Sequence, residues 1–173
     1  MLRERLREIL RGTSAEDLEG PLEELIGDLV GKLDPVAVAV AGSLAKGRFV
    51  RGLSDVDILV VVDRPVRSEE RFSLAPLGGA DAEITVVSLD ELERAVRAGN
   101  QFYLDALRSG KVVYARGAAS SLKALQRLAF EHDEGSSRRE QDAEAGARRE
   151  RGERAGARDP TGRWAPSLSL GAP

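Results

Sequence analysis

The sequence predicts an α/β (α+β) domain: a small mixed sheet of about four strands, flanked by helices and followed by a disordered tail. Three observations predict it. Short β-branched runs, "PVAVAVAG" (35–42), "VDILVVVD" (56–63), "DAEITVVS" (81–88) and "KVVYARG" (111–117), alternate with segments of helical periodicity. A length of 173 residues suits one domain with an appendage. After residue 134 large apolar residues almost vanish, leaving Trp164, Leu168 and Leu170 in the last 39 positions.

The elements follow in order. Leu2, Leu6, Ile9 and Leu10 make an apolar stripe at helical spacing. Gly20-Pro21 opens a second helix whose buried face is Leu22, Leu25, Ile26, Leu29, Val30 and Leu33, and Asp34-Pro35 ends it. The run at 35–42 is apolar on both parities, so it reads as a strand buried on both faces. Ser43 is an N-cap candidate for a short helix over 43–51. Strands follow at 56–63 and 81–88, and residues 64–80 between them read as a loop with one helical turn. Ser88 and Glu91 form a capping box before "LDELERAVRAG". "NQFYLDALRSG" gives another helix, stopped at Gly110. A fourth strand at 111–117 and a closing helix over 118–134 complete a body spanning 1–134. Within it, 1–33 are N-terminal helices and 35–117 hold the sheet.

Composition excludes several function classes. With no cysteine there is no disulfide, thiolate metal site or cysteine nucleophile. No apolar run reaches the length of a membrane span, and "MLRERLREIL" lacks the apolar core of a secretory leader, so a cytoplasmic setting is expected. Residues 1–134 carry 18 Lys/Arg against 23 Asp/Glu, and residues 135–173 carry 8 against 6. An acidic body argues against a broad nucleic-acid surface, and any such contact falls to the Arg-rich tail. His132, at the end of the last helix, reads as a surface residue, Phe102 and Tyr103 read as core, and Trp164 carries no assignment.

The chemistry gathers in "GSLAKGRFVRGLSDVDILVVVD" (42–63). Strand alternation points Asp55 and Asp57 the same way. Two neighbouring carboxylates repel, and each loses hydration beside an apolar sheet. A divalent cation removes both penalties, and Mg²⁺ prefers one or two carboxylates with waters and substrate phosphates. Gly42-Ser43, at the end of a buried strand, lets a phosphate approach the backbone and meet exposed amides. Lys46 adds a point charge, as can Arg48 and Arg51 from the loop. A third carboxylate is expected on the next strand. Glu83, inside an apolar run, is the better placed. Asp81, after "LGGA", can be an ordinary turn residue.

Gly-Ser, a gap of 11 residues, Asp-Val-Asp on a strand and an acid on the next strand resemble the DNA polymerase β-like nucleotidyltransferase superfamily. The likeness is to its small prokaryotic members, the minimal nucleotidyltransferases. It covers about residues 30–115, and "NQFYLDALRSGKVVYARG" resembles archaeal members. The resemblance implies that Gly42 and Ser43 hold a nucleoside triphosphate and that Asp55 and Asp57 bind two Mg²⁺ ions. It gives the third carboxylate one ion and a part in deprotonating the attacking hydroxyl. Here that residue is Glu83, where the family usually has Asp. The implied function is transfer of a nucleoside monophosphate, AMP from ATP, to an acceptor hydroxyl. In toxin–antitoxin members the acceptor is a tyrosine on a HEPN-type helical toxin. The other expectation is a binding module of the same fold, antitoxin-like, which docks a partner without catalysis.

Overall fold

The computed structural model describes residues 1–117 and 123–131. Five strands form one mixed sheet: β1 (Ala37–Val40), β2 (Val56–Val62), β3 (Phe72–Leu77), β4 (Ala80–Ser88) and β5 (Lys111–Ala115). Their order is β3-β4-β2-β1-β5. The β2–β4 pair is parallel, while β1 lies antiparallel to both β2 and β5, and β3 lies antiparallel to β4. The helices are α1 (Leu2–Leu10), α2 (Glu19–Leu33), α3 (Gly42–Ala45), α4 (Leu89–Arg97) and α5 (Gln101–Ser109). A further helix, α6, runs over 123–131. The predicted tail (135–173), with Trp164, lies outside the described residues, as do His132 and the start of the closing helix.

Side-chain alternation divides the core in two. Val38, Val40, Ile58, Val60, Ile84 and Val86 face one way and pack with Leu6 and Leu10 of α1 and Leu22 and Ile26 of α2. Ala37, Leu59, Val61 and Val87 face the other way, against Leu92 and Val96 of α4, Leu104 and Leu107 of α5, and Leu125 and Ala129 of α6. Each fully buried Val, Leu or Ile contributes about 1.5–3 kcal/mol. The second face also carries Asp57 and Glu83, one step beyond Leu59 and Thr85 along their strands.

Most local signals hold. Asp34 closes α2 in the left-handed region (φ 46°), its amide donating to the Val30 carbonyl. The Ser88–Glu91 capping box forms, and Asn100 caps α5 through the amides of Phe102 and Tyr103.

Three expectations change. The helix predicted over 43–51 shrinks to the single turn α3, because Gly47 takes a positive φ and breaks it. Ala41, not Ser43, occupies its N-cap. The predicted loop at 64–80 contains a 3-10 turn (Ser68–Glu70) and a whole strand, β3, so the sheet has five strands instead of about four. β3 is an edge strand, mostly exposed and carrying Pro76, which removes a backbone donor. Its hairpin turn, Gly78-Gly79 with φ 53° and 87°, is the signal that marks it.

Candidate active site

The antiparallel β1–β2 register pairs Val40 with Ile58, and the Ala41 amide donates to the Asp57 carbonyl at 2.8 Å. The chain leaving β1 therefore turns beside Asp57. Gly42 makes the turn with φ +60°. A Cβ there would lie 1.8 Å from Asp57 Oδ2 and 2.7 Å from its Cγ. Only glycine permits both the backbone angle and the approach of the carboxylate. Ser43 follows, its Oγ buried and without a hydrogen-bond partner among the described residues. A buried hydroxyl with no partner is a costly exception and calls for an explanation.

Parallel pairing of β2 with β4 sets Asp57 directly beside Glu83, on the same face, one strand spacing away (~4.8 Å). Asp55 stands exposed just before β2, and Asp57 and Glu83 are partly buried. Asp81 is exposed and pairs with Pro76 close to the hairpin turn. The register thus aligns Glu83, not Asp81, with Asp57. Burial pushes the Asp57 carboxyl above the usual aspartate range, and the charges of Asp55 and then Asp105 push it the same way. Its own backbone hydrogen bond and Lys46 oppose the rise. Among the described residues no three His, Cys, Asp or Glu side chains converge on one point.

Lys46 lies at the site's edge, where its Nζ donates to Asp105 Oδ2 of α5 at 2.7 Å. Ser109 Oγ reaches the other oxygen, Oδ1, at 3.5 Å. Asp105 is the site residue the sequence reading missed. It sits on the polar side of α5, between buried Leu104 and Ala106, and 59 residues separate it from Lys46. No local motif joins the two. Arg48 is exposed beside the turn. Arg51 is placed elsewhere: its guanidinium donates to Asp17, to the Ser14 carbonyl (3.3 Å) and to the Gly78 carbonyl (3.4 Å). That ties the loop to the N-terminal helices and the hairpin, so the suggested phosphate role for Arg51 is replaced by an anchoring one.

Phe102 and Tyr103, read from sequence as core, are exposed and half-buried respectively, with rings edge to face at 5.1 Å.

These residues fit a triphosphate and a divalent cation. The turn at Gly42 brings bare backbone against an acid, the Ser43 hydroxyl lacks a partner among the described residues, and the Asp57 carboxyl is held up in pKa by burial and then by other acids. Mg²⁺ takes one or two carboxylates and fills its remaining positions with water and phosphate oxygens, so it needs no ready three-carboxylate cage.

A family model described as "Nucleotidyltransferase domain" matches residues 22–106. A comparison with curated proteins finds no match. Among solved structures, the crystal structure of a nucleotidyltransferase-like protein from Exiguobacterium sibiricum is similar, at 12% identity and a TM-score of 0.48. The likeness covers 64% of this chain and 38% of that one, so this chain spans well under half of that relative's length. The matched segment contains Gly42, Ser43, Asp55, Asp57, Glu83 and Asp105. Residues 22–106 thus match the nucleotidyltransferase domain family, of the DNA polymerase β-like superfamily.

Proposed function

We propose that this protein transfers a nucleoside monophosphate, AMP from ATP, to an acceptor hydroxyl and releases pyrophosphate. The observation that supports it most is the contact of Gly42 with Asp57, which makes the Gly-Ser turn and the acidic row one site. Backbone at Gly42 and the Ser43 hydroxyl hold the triphosphate. Lys46, steadied by Asp105, adds a cation at the rim. Asp55, Asp57 and Glu83 would hold Mg²⁺, which when bound neutralises charge on the transferring phosphoryl group. Glu83 lies on β4, across β2 from the Gly-Ser turn, so it is placed to accept the proton of the incoming hydroxyl. The oxygen–phosphorus bond to the acceptor forms, the bond between the α-phosphorus and the bridging oxygen breaks, and pyrophosphate carries away the displaced electron pair.

The acceptor in this reading is a protein side chain, such as the tyrosine of a HEPN-type helical toxin. A second reading, a nucleotide-binding or docking module without catalysis, rests on the absence of a converged three-acid group among the described residues and on Glu at position 83. One assay separates them: the protein with α-labelled ATP, Mg²⁺ and lysate of its own host. Label on a discrete protein supports transfer. Saturable ATP binding without label supports the module. Neither binding nor label refutes both.

A further inference from the structure

The sheet continues beyond Glu83. β3 is the edge strand, and its antiparallel register sets Leu74 opposite Glu83 and Phe72 opposite Thr85. Opposite residues share a face. One row therefore runs Asp57, Glu83, Leu74 across three adjacent strands, with Leu59, Thr85, Phe72 as the next row. Leu59 is covered by the helical layer, while Leu74 and Phe72 are 64% and 55% exposed. Edge strands are ordinarily blunted by charge. β3, "FSLAPL", has no charged residue, and Pro76 protects only the hairpin end. Two large apolar side chains thus stand together at the border of an acidic site, on a strand whose outer backbone edge is unpaired within the described sheet.

We propose that Phe72 and Leu74 form the acceptor shelf: they seat the apolar flank of an extended polypeptide whose side-chain hydroxyl is delivered to Glu83. This rests on the transfer reading above. The triphosphate end of the site lies at Gly42-Ser43, on the β1 side of Asp57. In-line displacement requires the attacking oxygen to enter opposite the leaving pyrophosphate. Glu83 and then β3 lie on the opposite side of Asp57 from Gly42-Ser43. Phe72 and Leu74 carry no group that hydrogen-bonds a sugar's hydroxyls or pairs with a phosphate backbone. A strand edge unpaired within the described sheet offers main-chain groups to an extended polypeptide, with pockets for alternate side chains. The shelf thus sets acceptor class, selecting Ser, Thr or Tyr hydroxyls with apolar neighbours.

The test uses the full chain, Mg²⁺ and α-labelled ATP with nine-residue peptides bearing one central Tyr, flanked by either apolar or polar residues. Phe72→Ser with Leu74→Ser is compared with wild type and with Phe130→Ser, an equally exposed phenylalanine on α6 (55%). Both shelf residues are exposed, so melting temperature serves as the folding check. Wild type favours apolar-flanked peptides by about tenfold or more in kcat/KM, the scale of burying one apolar side chain. The double variant loses that preference through KM, with ATP affinity unchanged, and Phe130→Ser behaves as wild type. Preference retained by the double variant overturns the shelf. So does wild-type transfer to a sugar or RNA hydroxyl in place of peptides, which would leave nucleotidyl transfer standing. A wild-type dimer that the double variant abolishes assigns the shelf to a second copy and also overturns the proposal. Wild type that neither binds ATP nor transfers label refutes the function itself, and the shelf with it.

Discussion

Gly42→Ala is the sharpest perturbation the site allows. Two costs act together. The φ of +60° lies in the left-handed region, where a Cβ costs about 1–2 kcal/mol. The added Cβ would also stand 1.8 Å from Asp57 Oδ2, well inside contact distance, and forcing extra volume into a packed place costs about 1–3 kcal/mol. Gly47→Ala is the matched control: its φ is +66°, and nothing lies within 4 Å of the Cβ it would gain. The control carries the backbone cost alone. Gly42→Ala should therefore be less stable than Gly47→Ala by about 1–3 kcal/mol, or about 4–12 °C in Tm for a domain of this size. In an Asp57→Ala background most of the excess should vanish, since the colliding carboxylate is gone and only the Cβ at 3.3 Å remains, and the double-mutant cycle reads that coupling directly. The assay is urea and thermal unfolding of the four variants without divalent cation. Equal destabilisation by the two glycine substitutions, or an excess undiminished by removal of the Asp57 carboxylate, would refute the claim that turn and carboxylate share one space.

Other outcomes follow from the same geometry. Glu83→Gln should cut single-turnover transfer by at least the ~10²-fold typical of losing a general base, while Asp81→Asn stays near wild type; a crippled Asp81→Asn would place Asp81 in the row instead. Asp57→Asn should raise Tm at neutral pH in the absence of Mg²⁺. The folded-state pKa of Asp57 lies above its ordinary 3.8, so its favourable contribution exists at low pH and is lost as pH rises through that raised value. The gain from Asn should accordingly shrink to nothing below the ordinary value, and a gain independent of pH would contradict the assignment. Arg51→Ala should lower Tm and leave ATP affinity unchanged, because its partners are Asp17, Ser14 and Gly78. Lys46→Ala should do the reverse, weakening ATP binding with a stability loss of no more than about 1 kcal/mol for a partly exposed ion pair; isothermal titration and unfolding curves on both variants check the contrast.

Much of this architecture was legible because its signals are local. The capping box at Ser88, the stop at Asp34-Pro35 and the doubly apolar run at 37–40 each follow from neighbours in sequence. Asp57 was legible because strand alternation fixes its side of β2 whatever else pairs with that strand, while Asp55, one residue before β2, is tied to it by the charge it exerts on the Asp57 carboxyl. Glu83 was only a preference over Asp81, since choosing between them needs the β2–β4 register. Three features were hidden for reasons that can be named. β3 has an exposed apolar face and a proline, a combination that reads as loop until the Gly78-Gly79 turn is given its weight. Asp105 joins the site through a partner 59 residues away, and an acid on the polar side of an amphipathic helix looks ordinary. Arg51 looked like a phosphate ligand because charge alone does not say which way a loop side chain turns.

The parallel β2–β4 pairing carries a consequence for how the site comes into being. Asp57 and Glu83 meet only after the intervening chain has closed, and a parallel pair forms more slowly than a hairpin. What chooses their alignment is the buried set Ile58, Val60, Ile84 and Val86 on the opposite face. A slip of one residue would turn Glu83 into that layer and Ile84 out of it, an exchange of an acid for an aliphatic in the core. The acidic row is therefore proofread during folding by side chains that never meet a ligand. A chain still emerging from the ribosome, with β4 not yet released, would possess the Gly-Ser turn and the aspartate pair and still lack Glu83 beside them.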